Sequence, residues 1–411
     1  MSAEVNAAVA VAHRTEWAFV LAATVRVTRD LDVAEECVQD AYAQALGTWG
    51  EKGIPVKPGA WLTTVARRRA LELLRHQDAA HRTMPKLVTD VLAEPEIVEP
   101  DEVPDDRLRL IFTCCHPSLP QEAQVALSLR LLCGLSTAET ARAFLVSEPT
   151  MAARITRAKK KIAHARIPYL VPAGGELSQR IDAVLTVVHL IYSTGHTAPV
   201  GDQLLRVDLC ERALDLARML HTLLPDDPSV AALLSLILLT NARGATRVDD
   251  EGHLQLLADQ DRSRWDRAAI AEGLSLIGHS LRCGRPSRWS VMAAIAAVHA
   301  ESPSWEHTDW AELVGLYDLL IQYWPSPVVA LNRAAAVGLA HGPEAGLAAL
   351  DELGDNPQLS TYGYLAAARA DFLRRLGRHD DARTAYEEAL MLTENAVERR
   401  FLASRIEELD W

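Results

Sequence analysis

Thr150, Arg154, Arg157 and Lys161 recur at intervals of four, three and four residues. On a helix turning about 100° per residue, that spacing places one hydroxyl and three cations in a single stripe. Met151, Ile155, Ala158 and Ile162 repeat the same intervals one residue later and form an apolar stripe roughly a quarter-turn away. Cations and a hydroxyl in a row suit phosphate oxygens and base edges, while an apolar seam seats the helix on a support. Lys160 adds further positive charge beside the stripe. Ser147 is placed to cap this helix, and Pro149 in its first turn costs no hydrogen bond. Just upstream, Ser136 and Glu139 have the spacing of a capping box, followed by Ala138, Ala141 and Leu145 at helical intervals. Leu135 to Arg166 is therefore predicted to be two short helices joined by a tight turn. A solvated, dipole-complementing helix end would also account for Arg157, Lys159, Lys160 and Lys161; the capped helix before it favours DNA binding.

A second mixed constellation lies on a helix predicted from about Ala60. Leu62, Val65, Ala66, Ala70, Leu73 and Leu74 trace its apolar stripe. Trp61, Thr63, Thr64, Arg67, Arg68, Arg69 and Arg75 supply a ring for stacking, hydroxyls, and cations for a backbone, which suits single-stranded DNA. The same residues could be a core tryptophan with arginines lying over the surface. Before it, Ala34, Cys37, Val38, Ala41, Tyr42, Ala45 and Leu46 share one helical face, and Glu35, Glu36, Gln39 and Asp40 fall away from it. That acidic face is either solvated or docks a basic partner helix.

The chain of 411 residues has 5% aromatic content and a net charge of −13. Two or three domains and an all-α fold are expected, since no stretch alternates like a strand. Residues 1 to 172 hold 21 basic and 21 acidic side chains, so the whole acidic excess follows residue 172. Within the first part, Asp90 to Asp106 carries eight acids and no base, which leaves two basic modules flanking an acidic tether. Six cysteines without CxxC pairing argue against a disulfide framework. In Thr113-Cys114-Cys115-His116-Pro117, adjacent soft ligands point in different directions and lack a second cluster, so a turn with half-buried thiols is expected and no metal. The longest apolar run, Val230 to Leu239, is about half a bilayer span, and a cytoplasmic protein is expected.

RDLDVAEECVQDAYAQAL, then PGAWLTTVARRRALELLR, an acidic linker, and LSTAETARAFLVSEPTMAARITRAKKKI together resemble the extracytoplasmic-function class of sigma-70 family RNA polymerase sigma factors. Sigma-2 and sigma-4 modules appear in order over about 170 residues, with no sigma-3 between them. The resemblance implies that Glu35, Glu36, Gln39 and Asp40 face the clamp helices of the polymerase β′ subunit. It implies that Trp61, Thr64, Arg67, Arg68 and Arg69 melt and read the minus-ten element, and that Thr150, Arg154, Arg157, Lys160 and Lys161 engage the minus-thirty-five element. Many members carry Asn-Arg-Ala-x-Asp where this chain has Arg68-Arg69-Ala70-Leu71-Glu72, so no minus-ten sequence preference carries over.

After about Pro172, helical patterns recur: Ile181 to Ile191, Leu204 to Leu224, Val230 to Thr240, Trp265 to Leu281, Ser290 to His299, Trp310 to Trp324 and Val328 to Leu339. Ala366, Ala370, Leu373, Gly377, Ala382, Tyr386 and Ala389 sit at the offsets of a tetratricopeptide repeat, with Val328 to Leu353 as a degraded preceding unit. Glu394 stands where such a repeat usually ends in proline. A groove between stacked helix pairs would bind a regulatory protein or peptide. One charged segment interrupts the pattern: Asp259, Asp261, Arg262, Arg264, Trp265 and Asp266 form either an ion-pair cluster pinning a loop or a ligand pocket, and Arg243, Arg247, Asp249 and Asp250 could complete either one. The halves together resemble the sigma subfamily with a C-terminal tetratricopeptide-like extension.

The sequence thus predicts an all-α chain: a sigma-2 domain over 1–78, an acidic linker over 79–104, a sigma-4 helix-turn-helix domain over 105–171, and a helical regulatory domain over 172–411. The expected function is promoter recognition and initiation with core polymerase, without cofactor, metal, membrane or catalysis. The alternatives are a helical enzyme or small-ligand sensor centred on Asp259 to Asp266 with His253, carrying an accessory DNA-binding module, or a conventional repressor. No nucleophile elbow, phosphate loop or metal spacing supports the enzyme.

Overall fold

The computed structural model describes residues 3–81, 106–144, 146–172, 175–353 and 356–410. Leu145 and nearly all of the acidic linker lie outside the described residues. Among those described, α-helices dominate and the strands are two pieces of two residues each. Two compact units divide the chain at 188/189, inside a helix rather than near residue 172.

In the first unit, α1 (Ala3–Thr28), α2 (Leu31–Lys52) and α3 (Pro58–His81) pack on one another. Asp30 caps α2 by accepting from the backbone N–H groups of Asp32 and Val33 at 2.8 and 2.9 Å. Of the predicted α2 stripe, Ala34, Cys37, Val38, Ala41, Tyr42 and Ala45 are buried, which leaves the opposite face to water. Next come α4 (Asp106–Cys114), α5 (Gln121–Leu127), a π-helical turn over Ser128–Leu132, α6 (Thr137–Phe144) and α7 (Glu148–His164). The π turn was not legible in the sequence. It carries Leu131, whose carbonyl accepts from Trp17 Nε1 of α1 at 3.1 Å. Gly134 follows at φ +70°, where a Cβ would come within 2.8 Å of His13 and 3.0 Å of Trp17, so glycine lets the chain close against α1. Tyr169 adds a clasp by donating to the carbonyls of Ala22 and Asp106 at 3.0 and 3.1 Å.

The Cys114-Cys115-His116 segment does form the end of α4 and a turn, but its thiols are fully buried rather than half-buried, at 0% and 1% exposure. Burial pushes the Cys115 thiol up to about 12, and Cys114 well above its ordinary value. Both act as small apolar side chains. Among the described residues no Cys, His, Asp and Glu group is arranged to hold a metal.

The second unit begins within α8 (Gly175–His196). Its helices are α9 (Val207–Leu223), α10 (Pro228–Asn241), α11 (Arg267–Cys283), α12 (Arg288–Glu301), α13 (Trp310–Tyr323), α14 (Pro327–His341), α15 (Pro343–Asp351), α16 (Gly363–Arg375), α17 (His379–Leu392) and α18 (Ala396–Glu407). Residues 228–246 are apolar and long enough to cross a membrane by composition, yet Val230 to Leu239 are buried on every side as α10 packs on α9, α11 and α12. A helix apolar all round belongs in a core. Gly273 of α11 permits the close approach, since a Cβ there would meet Leu239 at 2.7 Å. Farther on, Ala366, Ala370, Leu373, Ala382, Tyr386 and Ala389 share one core cluster with Leu402 of α18.

Where Glu394 replaces the expected proline, the chain makes β2 (Glu394–Asn395), parallel to β1 (Val200–Gly201). Asn395, 0% exposed, donates to the carbonyls of Ala198 and Gln203, both at 2.9 Å, and its Oδ1 caps α18. One amide side chain therefore joins residues near 200 to residues near 395.

Candidate nucleic-acid and polymerase interface

The helix-turn-helix forms as its caps predict. Ser136 Oγ accepts from Glu139 N–H at 3.1 Å while Glu139 Oε2 accepts from Ser136 N–H at 2.7 Å, a reciprocal capping box. Ser147 caps α7 with Pro149 in the first turn. Met151, Ile155, Ala158 and Ile162 are all buried, so the apolar stripe of α7 is spent on packing against α5 and α6. The polar stripe must then face outward. Thr150, Arg157, Lys160 and Lys161 are exposed. Arg154 is folded back: its guanidinium meets Glu122 at 3.0 Å and lies 5.5 Å over the Phe144 ring.

Lys159 takes a different direction from its neighbours. Its ammonium reaches α2, 2.6 Å from Asp32 and 2.7 Å from Glu35. Arg130 of the π turn meets the other Glu35 oxygen. Burial pulls the Lys159 pKa down, but the Glu35 and Asp32 carboxylates more than offset it and hold it above the ordinary lysine value. This corrects one expectation directly. Glu35 does not share the solvent-facing side of α2; it is 5% exposed and neutralises two cations from the fourth-region helices. At 100° per residue it sits on the border of the apolar stripe, and a partner distant in sequence decided its side.

Glu36, Gln39 and Asp40 are exposed on α2, as expected. Asp40 pairs with Arg69 of α3 at 3.0 Å, and Arg69 and Arg68 each lie 3.9 Å from Glu72. Asp40, Gln44, Val65, Arg68, Arg69 and Glu72 line a shallow groove between α2 and α3. Arg67 and Thr64 are exposed on α3, with the Thr64 hydroxyl donating back to the Ala60 carbonyl at 2.9 Å. Trp61 is half-buried, edge-on to buried Trp49 with ring centroids 5.6 Å apart. One side of Trp61 thus anchors against Trp49, and the rest of the ring is partly exposed.

The Asp259 to Asp266 segment does not converge on a site. Asp259, Asp261, Arg264 and Asp266 are exposed. Asp261 caps a single helical turn, and Asp266 caps α11 by accepting from Ala268 and Ala269 N–H at 3.0 Å. Arg262 and Trp265 turn inward: the guanidinium lies 4.8 Å over the Trp265 ring and donates to the carbonyls of His299 and Ser302, and Trp265 Nε1 donates to Thr246 Oγ1 at 3.0 Å. The segment pins a loop, but through carbonyls, caps and a ring rather than the ion pairs expected. His253 is exposed beside Asp249, which accepts from its backbone N–H at 2.8 Å and closes a local turn.

Residues 16–80 match sigma-70 region 2 and residues 109–162 match sigma-70 region 4. Residues 180–281 match a family of unknown function, DUF6596. An uncharacterised protein of Rhizobium meliloti (strain 1021) is 40% identical over 394 residues, covering 95% of this chain and 93% of the relative. No solved structure matches. Two sigma regions in the expected order, one giving a capped recognition helix and the other an acidic helix beside an arginine-rich one, settle the family: the chain belongs to the sigma-70 family, as an ECF-like sigma factor with regions 2 and 4 followed by a C-terminal extension.

Proposed function

We propose that this sigma factor docks on the clamp helices of the polymerase β′ subunit through Glu36, Gln39 and Asp40, and that its C-terminal helical unit regulates it. The observation carrying the docking assignment is that these three polar side chains share the exposed face of α2 while its other face is packed. Arg67, Arg68, Thr64 and Trp61 then serve the minus-ten element, with Thr150, Arg157, Lys160 and Lys161 on the minus-thirty-five element. Arg154 joins them after leaving Glu122. Work on polymerase and promoter DNA places the chain in the cytoplasm.

Lys159 gives the reading a second part. Promoter elements about two helical turns apart are separated by roughly 70 Å. A compact unit of this size spans on the order of 40 Å. With Lys159 and Arg130 held on Glu35, α7 and α3 cannot reach both elements at once, so this arrangement is a closed state that opens on the way to the promoter. The acidic second unit, with a tetratricopeptide-like array over α13 to α18 as a surface for a regulatory protein or peptide, biases that opening.

Binding of purified chain to core polymerase tests the docking face. Reversing Glu36 and Asp40 to lysine should weaken it by at least about tenfold, since like charges now oppose. Unchanged binding would remove α2 as the docking helix.

A further inference from the structure

Arg154 stands apart from the rest of the polar stripe on α7. Thr150 Oγ1 bonds Ser147 Oγ at 2.8 Å, and Arg157 Nε donates to the Ala153 carbonyl at 3.2 Å, so both stay local to α7. Arg154 crosses to α5, where its Nη2 lies 3.0 Å from Glu122 Oε2. Its guanidinium carbon lies 5.5 Å from the centroid of the ring of Phe144, the last residue of α6. The Arg154 side chain is 21% exposed and that of Glu122 72%. The carboxylate therefore meets, from the solvent side, an arginine that the ring already steadies. Since α7 packs on both α5 and α6, the support of the recognition helix also holds its central cation.

Magnitudes decide what this hold can do. An ion pair with an exposed carboxylate is worth up to about fivefold in an equilibrium. A bidentate arginine–guanine contact discriminates by roughly five- to hundredfold. Guanine therefore outcompetes Glu122, while water does not. The guanidinium fork offers the same donors to a carboxylate and to guanine O6 and N7, so the two partners compete for Nη2. Glu122 is a competitor of the promoter carried by the protein itself.

We propose that Glu122 sets the affinity of the minus-thirty-five contact: Arg154 reads a guanine in the major groove by exchanging the Glu122 carboxylate for O6 and N7. The exchange rests on the reading of α7 as the minus-thirty-five helix given above. Glu122 is a positioning residue, acting through Arg154 and touching no base.

The test uses holoenzyme assembled from the full-length chain and bacterial core polymerase, with a promoter library randomised in the upstream element. Equilibrium binding is then measured on the sequence that wild type selects. Wild type should demand guanine at one position, and Arg154→Ala should lose that demand. Glu122→Gln, a near-isosteric change at an exposed side chain, should bind the selected sequence about three- to fivefold tighter. The gain should vanish when Arg154→Ala is combined with it, and binding to core polymerase should not change. An equal gain with and without Arg154 would reflect the loss of one repelling charge and would overturn the proposal, as would no gain. Weaker binding in Glu122→Gln would overturn it too, by making the carboxylate a support for Arg154 on DNA. If Arg154→Ala alters neither selection nor affinity while Arg157→Ala weakens binding, the exchange fails and the minus-thirty-five reading stands. If neither variant weakens binding, both fail.

Discussion

Each unit buries a cluster of cations, and the two clusters are finished differently. In the first unit Lys159 and Arg130 converge on Glu35, so these two cations share a buried carboxylate. In the second, Arg247 and Arg262 donate to main-chain carbonyls instead, with Arg262 also over the Trp265 ring, and neither has a carboxylate in an ion pair among the described residues. The first pattern is a clasp within the fold. The second ties cationic side chains to the backbone of neighbouring elements. Charge count alone would class them together; their partners, a carboxylate in one and carbonyls in the other, separate them.

Glu35→Gln should break the contrast most visibly. It strands Arg130, leaves Lys159 only Asp32 as a carboxylate partner, and should cost about 3 kcal/mol in denaturant unfolding. A loss under about 1 kcal/mol would mean the clasp is solvated. Acid should act next, on the other unit. Burial and the Arg288 charge bring His189 to about 4, and His299 lies there too, so both bind protons on unfolding before they do so when folded. A base with a depressed folded pKa contributes stability that falls as pH drops below its unfolded value, about 6.5, toward about 4. The expected loss is on the order of 2–3 kcal/mol across that window, read as Tm against pH, and His299→Gln should flatten the slope. Arg243→Met should move stability by under about 1 kcal/mol or raise it, because its guanidinium has no ion partner to lose among the described residues; a loss like that of Glu35→Gln would make Arg243 a structural cation. Arg157→Ala, at an exposed side chain, should change stability by less than about 0.5 kcal/mol, checked by the same melts.

Much of the first unit was legible in the residues because its signals are local. Ser136 with Glu139, Ser147 with Pro149, and the period of Met151 to Ile162 each specify geometry within a few positions. The side taken by Glu35 was not legible, because Lys159 lies 124 residues away. The inward turn of Arg262 was hidden for the same reason: its partners, the His299 and Ser302 carbonyls, are 37 and 40 residues on. Asn395 caps a helix locally, which its position hints at, yet its amide also binds Ala198 across 197 residues, which no spacing announces. Arg243 and Arg247 stood out as charges able to complete a site. Their setting between Tyr192, His196 and His299 arises only when helices far apart in sequence close around them.

The most direct test of the central claim is reconstituted transcription: the purified chain with bacterial core polymerase on a promoter library, beside an Arg157→Ala, Lys161→Ala double variant. Promoter-specific transcripts that fall at least about tenfold in the variant, with binding to core polymerase unchanged, are the predicted result. A chain that neither binds core polymerase at any salt concentration nor directs a single specific start would contradict it.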